Sequence, residues 1–410
     1  MTSKERILAA WEGRPADYVP LTTWCFGLSV PPHVSWKRDG KPVSYWYSKR
    51  MEHLHTLPEA WTLEDDFKRV MAWRSLGVDD VLDVSVPWSV DADVTWQDSV
   101  LPAGEADVCP VIVREYETRD GSLRHAVRQT GEDPGEGWVI QARNVPLMED
   151  YNIPRAVRHA VTCRDDVVKV RHLLQGPDAD GRKWFTERME RVKTFAEENE
   201  VAVQAWPAFG MDGVVWLAGT ENAIMMAMDD PEAFGKLLDV VHESDLGRVE
   251  LAASTPGVDL ICERGWYSST DFWSPSLFDE FLFSRIRELA DVTHKGGKKF
   301  GYVMTTGVEI LGTRLADAGV DVLYFVDPVQ DSITLEKAKE LLGERVTLVG
   351  GTNALSLASG DPGRIRTEVR EALETLAPTD RFILHPVDAI FPDTPWEGVE
   401  TLIDSWKHYR

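Results

Sequence analysis

From about residue 198 onward, short runs of β-branched and aromatic residues recur along the chain. Each is followed by about ten to fifteen residues whose apolar positions return every three or four. The runs are Val201–Trp206, Val258–Glu263, Lys299–Met304, Val320–Val326, Arg345–Gly350 and Arg381–His385. The helical patterns between and after them cover Glu221–Met228 extended by Pro231–Leu246, then Pro275–His294, Gly307–Ala318, Leu335–Leu342, Pro362–Leu376 and Trp396–His408. Ser274-Pro275 and Asp361-Pro362 are helix starts with a capping oxygen and a proline that gives up no needed N–H. Tyr18–Trp24 and Val78–Val84 read as two earlier strands, with a helix at Leu63–Leu76 before the second. Eight strands alternating with helices predict a parallel (β/α)8 TIM barrel rather than two domains.

Residues 88–160 break this rhythm. Val111–Thr118 and Ser122–Arg128 alternate with period two around Arg119-Asp120-Gly121, and Asp-Gly is a hairpin signal. The expectation is one barrel domain over 1–410 with an antiparallel β insertion after strand 2, including a polar turn cluster at Gly131–Gly137.

The chain has 410 residues, with 44 Lys+Arg against 68 Asp+Glu and a net charge of −24, which disfavours nucleic acid and anionic membranes as partners. No apolar run reaches the roughly 18 residues of a membrane span, and Met1–Ile7 holds no signal-peptide core, so a cytoplasmic protein is expected. Cys25, Cys109, Cys163 and Cys262 are far apart and read as thiols. Motifs for dinucleotides, P-loop phosphates, serine hydrolases and zincins are absent.

Barrel active sites lie at the C-terminal ends of the strands. Those ends supply Trp24, Asp83, Trp206, Glu263 with Arg264, Met304 with Thr306, Asp327, Asn353, and His385 with Asp388. Glu263-Arg264 is either a carboxylate-binding or acid-poising pair or an ion pair closing the barrel. His385 and Asp388 share a proton or a metal, or serve only to satisfy a loop. Asp79 and Asp80 belong at the base of the second strand, leaving Asp83 nearer the mouth. Trp266, Tyr267 and Trp273 make the following loop aromatic, as a lid or as a packed clamp.

The opening Thr2–Pro20, the Asp230-Pro-Glu stretch and the close Ile383–Pro395 resemble the uroporphyrinogen decarboxylase superfamily over most of the chain. That resemblance implies a (β/α)8 barrel and one of two chemistries: cofactor-free decarboxylation, or methyl transfer by zinc enzymes working with corrinoid proteins or thiols. The methyltransferase branch's His-x-Cys-Gly motif is replaced by Met304-Thr305-Thr306-Gly307, and its last metal-binding Cys falls on Asp388. A zinc would then need oxygen and nitrogen donors, with Glu263, His385 and Asp388 the candidates. The decarboxylase branch's Arg-Gln-Ala-Gly-Arg motif is replaced by Thr22–Gly27, which argues against a tetrapyrrole substrate.

The leading expectation is a methyltransferase that demethylates a small aromatic or quaternary-amine substrate onto a corrinoid held by a partner protein, with a homodimer among the assemblies it allows. In it Glu263, His385 and Asp388 hold a metal or protonate the leaving oxygen, Arg264 fixes the substrate, and Trp266 and Trp273 enclose it. Asp83 or Asp388 would instead protonate a carbanion in a metal-free lyase acting on a carboxylated aromatic, and a non-catalytic binding descendant is the third reading.

Overall fold

The computed structural model describes residues 1–25, 36–38, 41–43, 63–104, 107–129, 148, 153–390 and 394–410. Its strands, in chain order, are β1 (Trp36–Arg38), β2 (Lys41–Val43), β3 (Val81–Ser85), β4 (Thr95–Leu101), β5 (Val111–Thr118), β6 (Gly121–Arg128), β7 (Ala156–Arg158), β8 (Ala202–Ala208), β9 (Leu260–Glu263), β10 (Lys299–Val303), β11 (Val322–Val326), β12 (Thr347–Asn353) and β13 (Phe382–Val387). The strands expected after residue 198 all form, each beginning within two residues of its apolar run. The turn cluster at Gly131–Gly137 lies outside the described residues.

β3 and β8 to β13 build a parallel, TIM-barrel-like sheet in the order β13-β12-β11-β10-β9-β8-β3. Beyond β13, Leu21 bridges Leu384 and Cys25 bridges Ile390, both in parallel sense. Thr22 N–H donates to the Leu384 carbonyl at 3.0 Å, and Leu384 N–H to the Pro20 carbonyl at 2.9 Å. The strand expected at Tyr18–Trp24 is therefore two bridges and no continuous ladder, in keeping with Pro20, which has no N–H to contribute.

Alternate residues of the sheet face inward. Val81, Ala202, Leu260, Val322 and Ile383 pack in one buried cluster with Ile7, Ala10 and Trp11 of the helix Ser3–Glu12, which stoppers the barrel base. Leu82, Val203, Ile261, Phe300, Leu323 and Leu384 face the surrounding helices. That outer layer includes Gly210–Ala218, a helix with no counterpart in the sequence reading. It is buried from Met211 to Ala218, so it has no polar face to mark a helical period. The expected helix Pro275–His294 is divided at Leu282 into Pro275–Phe281 and Phe283–Lys295. Both proline starts are capped as expected, Ser274 Oγ accepting from Leu277 N–H and Asp361 from Gly363 and Arg364.

The insertion is an antiparallel sheet in the order β4-β5-β6-β7, with Thr118 opposite Gly121 across the expected hairpin turn. The buried His172 ties that turn to the barrel side. Its Nδ1 lies 2.6 Å from Asp91 Oδ2 and its Nε2 2.7 Å from Asp120 Oδ2. Arg119 and Arg171 reach the same two carboxylates, each at 2.8 Å. Among the described residues no helix is long and apolar enough to cross a membrane.

Candidate active site

The inward parity of β3, β8, β11 and β13 places Asp83, Gln204, Tyr324 and His385 in the barrel lumen, all buried. Asp83, Gln204 and Tyr324 form a chain of polar contacts starting outside the sheet. Arg69, on the helix Leu63–Ser75, spreads its guanidinium over Asp66 (2.8 Å), Asp80 (2.6 Å), Asp83 (3.0 Å) and the Val81 carbonyl (2.7 Å). Asp83 Oδ1 also accepts from Gln204 Nε2 at 2.5 Å and Trp206 Nε1 at 2.9 Å. Gln204 Oε1 in turn accepts from the Tyr324 hydroxyl at 2.8 Å. Burial raises the acids behind this chain, Asp66 and Asp80 each to about 7, against the opposing pull of Arg69. Asp79 lies at the barrel base, as expected, paired with Arg6 at 2.6 Å.

Above the chain the mouth is aromatic. Trp24 lies between Trp206 and Trp266, with ring centroids 5.1 and 5.4 Å away and planes 28° and 7° from its own. Phe325 meets Trp24 edge-on at 6.0 Å and lies 5.0 Å from the His385 ring. His385 Nδ1 is 3.0 Å from Thr22 Oγ1, and its Nε2 makes no hydrogen bond among the described residues. Burial pushes His385 down to about 3, with the Asp388 backbone opposing only in part, so the imidazole is neutral at physiological pH. Asp388 itself is half-buried just past β13.

Glu263 and Arg264 do not act as a pair at this mouth. Cys262 takes the inward position on β9, so Glu263 points to the helix layer beside Tyr302, with Oε1 against Gly210. Burial, then Asp245 and Asp212, holds it well above the usual carboxylate range, and its Oε2 has no hydrogen-bond partner among the described residues. Arg264 donates to Asp212 at 3.3 Å, its guanidinium 4.8 Å from the Trp216 ring and 4.5 Å from Trp266.

The remaining candidates anchor the loops. Asp327 accepts from Val329 and Gln330 N–H and from Asn353 Nδ2, while Asn353 caps the helix Ala354–Ser359 through Leu355 N–H. Thr306 donates to Asp271 at 2.6 Å, and Met304 is fully buried, exchanging backbone hydrogen bonds with Tyr324 and Phe325. Trp273 donates to the Tyr267 carbonyl at 2.6 Å and stacks on Phe234, and Tyr267 N–H donates to Asp212, so this loop is a packed clamp.

Among the described residues no group of three or more His, Cys, Asp or Glu side chains converges as a metal set. Glu263, His385 and Asp388 do not constitute one, since Glu263 faces the helices and His385 the lumen. Gln204, Tyr324, Arg69 and Thr22 are site residues that the sequence reading missed. Gln204 carried a signal, being polar at the inward parity of an apolar run.

A family model described as uroporphyrinogen decarboxylase (URO-D) matches residues 186–409, just over half of the chain. The chain belongs to the URO-D family. Two curated relatives named methylcobamide:CoM methyltransferase MtaA, from Methanosarcina barkeri and its strain Fusaro, are 26% and 28% identical over 211 residues. Each match covers 49% of this URO-D chain and 57% of the relative, so the chain spans little more than half the length of the curated relatives it matches. A solved structure titled methyltransferase from Methanosarcina mazei covers 100% of this chain and 99% of its own, at 18% identity and a TM-score of 0.59. At that identity the likeness concerns the URO-D fold alone.

Proposed function

We propose that this URO-D protein removes a methyl group from a small substrate at the barrel mouth and passes it to a corrinoid carried by a partner protein. The observation that carries the reading is the aromatic collar of Trp24, Trp206, Trp266 and Phe325 over a lumen in which Asp83, Gln204 and Tyr324 are hydrogen-bonded to one another in series. The collar excludes water from a methyl group in transit, and His385, held by Thr22, is the neutral polar group beside it. The corrinoid, when bound, supplies the nucleophile. The names of the curated relatives support methyl transfer. No step is assigned to zinc, because the candidate ligands do not form one donor set.

Lyase chemistry asks Arg264 to grip a carboxylate, and that guanidinium is engaged by Asp212 and two indoles. The test is incubation with cob(I)alamin and a panel of methoxylated aromatics and quaternary amines, following loss of the reduced corrinoid spectrum. Turnover that falls at least about tenfold in His385→Ala is expected. Carbon dioxide release from an aryl acid without corrinoid turnover would overturn the proposal.

A further inference from the structure

The lumen chain runs in one hydrogen-bond direction. Arg69 and the Trp206 indole can only donate, and both donate to Asp83. Gln204 turns its amino group to the Asp83 oxygen that Trp206 also serves and its carbonyl to the Tyr324 hydroxyl. The Tyr324 proton is thereby committed to Gln204. What the phenol has left for the lumen is its lone pairs.

We propose that Tyr324 is a specificity-determining residue, its oxygen accepting a hydrogen bond from an O–H or N–H of the substrate. The site then selects small methylated molecules that retain one free donor over fully capped analogues and carboxylates. The placement supports contact with a ligand. Tyr324 crosses the lumen from β11 to reach β8, and its ring stands edge-on to Phe325 at 5.5 Å, the residue that meets Trp24. A ligand under the collar therefore meets the phenol as its floor. A buried acceptor left unpaired by a ligand lacking a donor is costly, which makes the discrimination steep.

This inference deepens the methyl-transfer reading, and its test needs no turnover. Phenol and fluorobenzene have nearly the same shape, and only phenol donates. Tryptophan fluorescence of the full chain is titrated with each. The expected result is saturation by phenol at a concentration at least about tenfold lower than by fluorobenzene, with the ratio falling to near one in Tyr324→Phe. A neutron structure of the wild type supplies a measurement independent of any variant's folding, with the deuteron expected between Tyr324 Oη and Gln204 Oε1. Equal binding of the two probes, no saturation by phenol, an unchanged ratio in Tyr324→Phe, or a deuteron pointing into the lumen overturns the proposal. Phenol preference without methyl transfer to cob(I)alamin sinks the functional reading alone, and methyl transfer without the preference sinks this inference alone.

Discussion

A buried polar atom without a partner is a stability liability that a single substitution can expose. His125, on β6, has both ring nitrogens unpaired among the described residues and stands 6.2 Å from His159. Burial, then His159, holds it down to about 3. Because the folded pKa is depressed, its contribution is present above the unfolded value of about 6.5 and is lost as pH falls toward 3. His125→Leu is expected to be neutral or stabilising by about 1–2 kcal/mol at pH 7, with a larger gain at pH 5, read from urea midpoints. Glu263 gives a contrasting test. Held above the usual carboxylate range by burial and turned from the lumen, it should tolerate Glu263→Gln with stability within about 1 kcal/mol and the proposed methyl transfer within about threefold of wild type. A large loss of turnover in a folded Glu263→Gln protein would return it to the active site.

At the scale of elements, the start of the helix Gly210–Ala218 depends on one backbone conformation. Gly210 has φ +51°, and a Cβ there would lie 2.5 Å from Glu263 Oε1 and 2.9 Å from the Arg264 carbonyl. Asp245 accepts the N–H groups of Phe209 and Gly210 at 2.9 and 2.8 Å, fixing the same turn. Gly210→Ala is expected to cost about 1–3 kcal/mol in chemical denaturation and to disturb the Arg264 clamp. His172→Gln, which cannot serve Asp91 and Asp120 as the ring does, should speed hydrogen exchange in β5 and β6 while leaving β8–β13 protected.

What the sequence showed of these elements follows from the kind of signal each carries. β11 and β12 are buried on both faces, so their existence as strands was legible while their inward residues were not. Glu263 and Cys262 exchange roles with a one-residue change of parity, and only the pairing with β10 decides it. The β5–β6 hairpin was readable to within one residue, because its turn carries Asp-Gly and its strands are partly exposed. Arg69, on a helix outside the barrel, gave no sign of reaching Asp83 because that contact depends on how two elements pack.

Across the whole molecule the buried acids set the direction of the pH response near neutrality. Asp66 and Asp80 are raised to about 7 and Asp245 to about 6, each chiefly by burial. Their folded pKa values exceed the unfolded value near 4, so the stability they contribute is complete below it and is lost as pH rises through 6 to 7. The thermal midpoint is accordingly expected to be higher at pH 6 than at pH 8 in calorimetry. Constancy over that interval would show that these carboxyls are ionised in the fold.

The stopper at the barrel base also bears on how the chain is made. Ile7, Ala10 and Trp11 are synthesised long before Ile383, with which they pack in one buried cluster, and Val19 accepts from the Trp406 indole at 2.7 Å. A nascent chain therefore exposes these apolar side chains until Ile383 has been synthesised. At about 5–20 residues per second that wait is tens of seconds, a window in which a holding chaperone has its natural substrate.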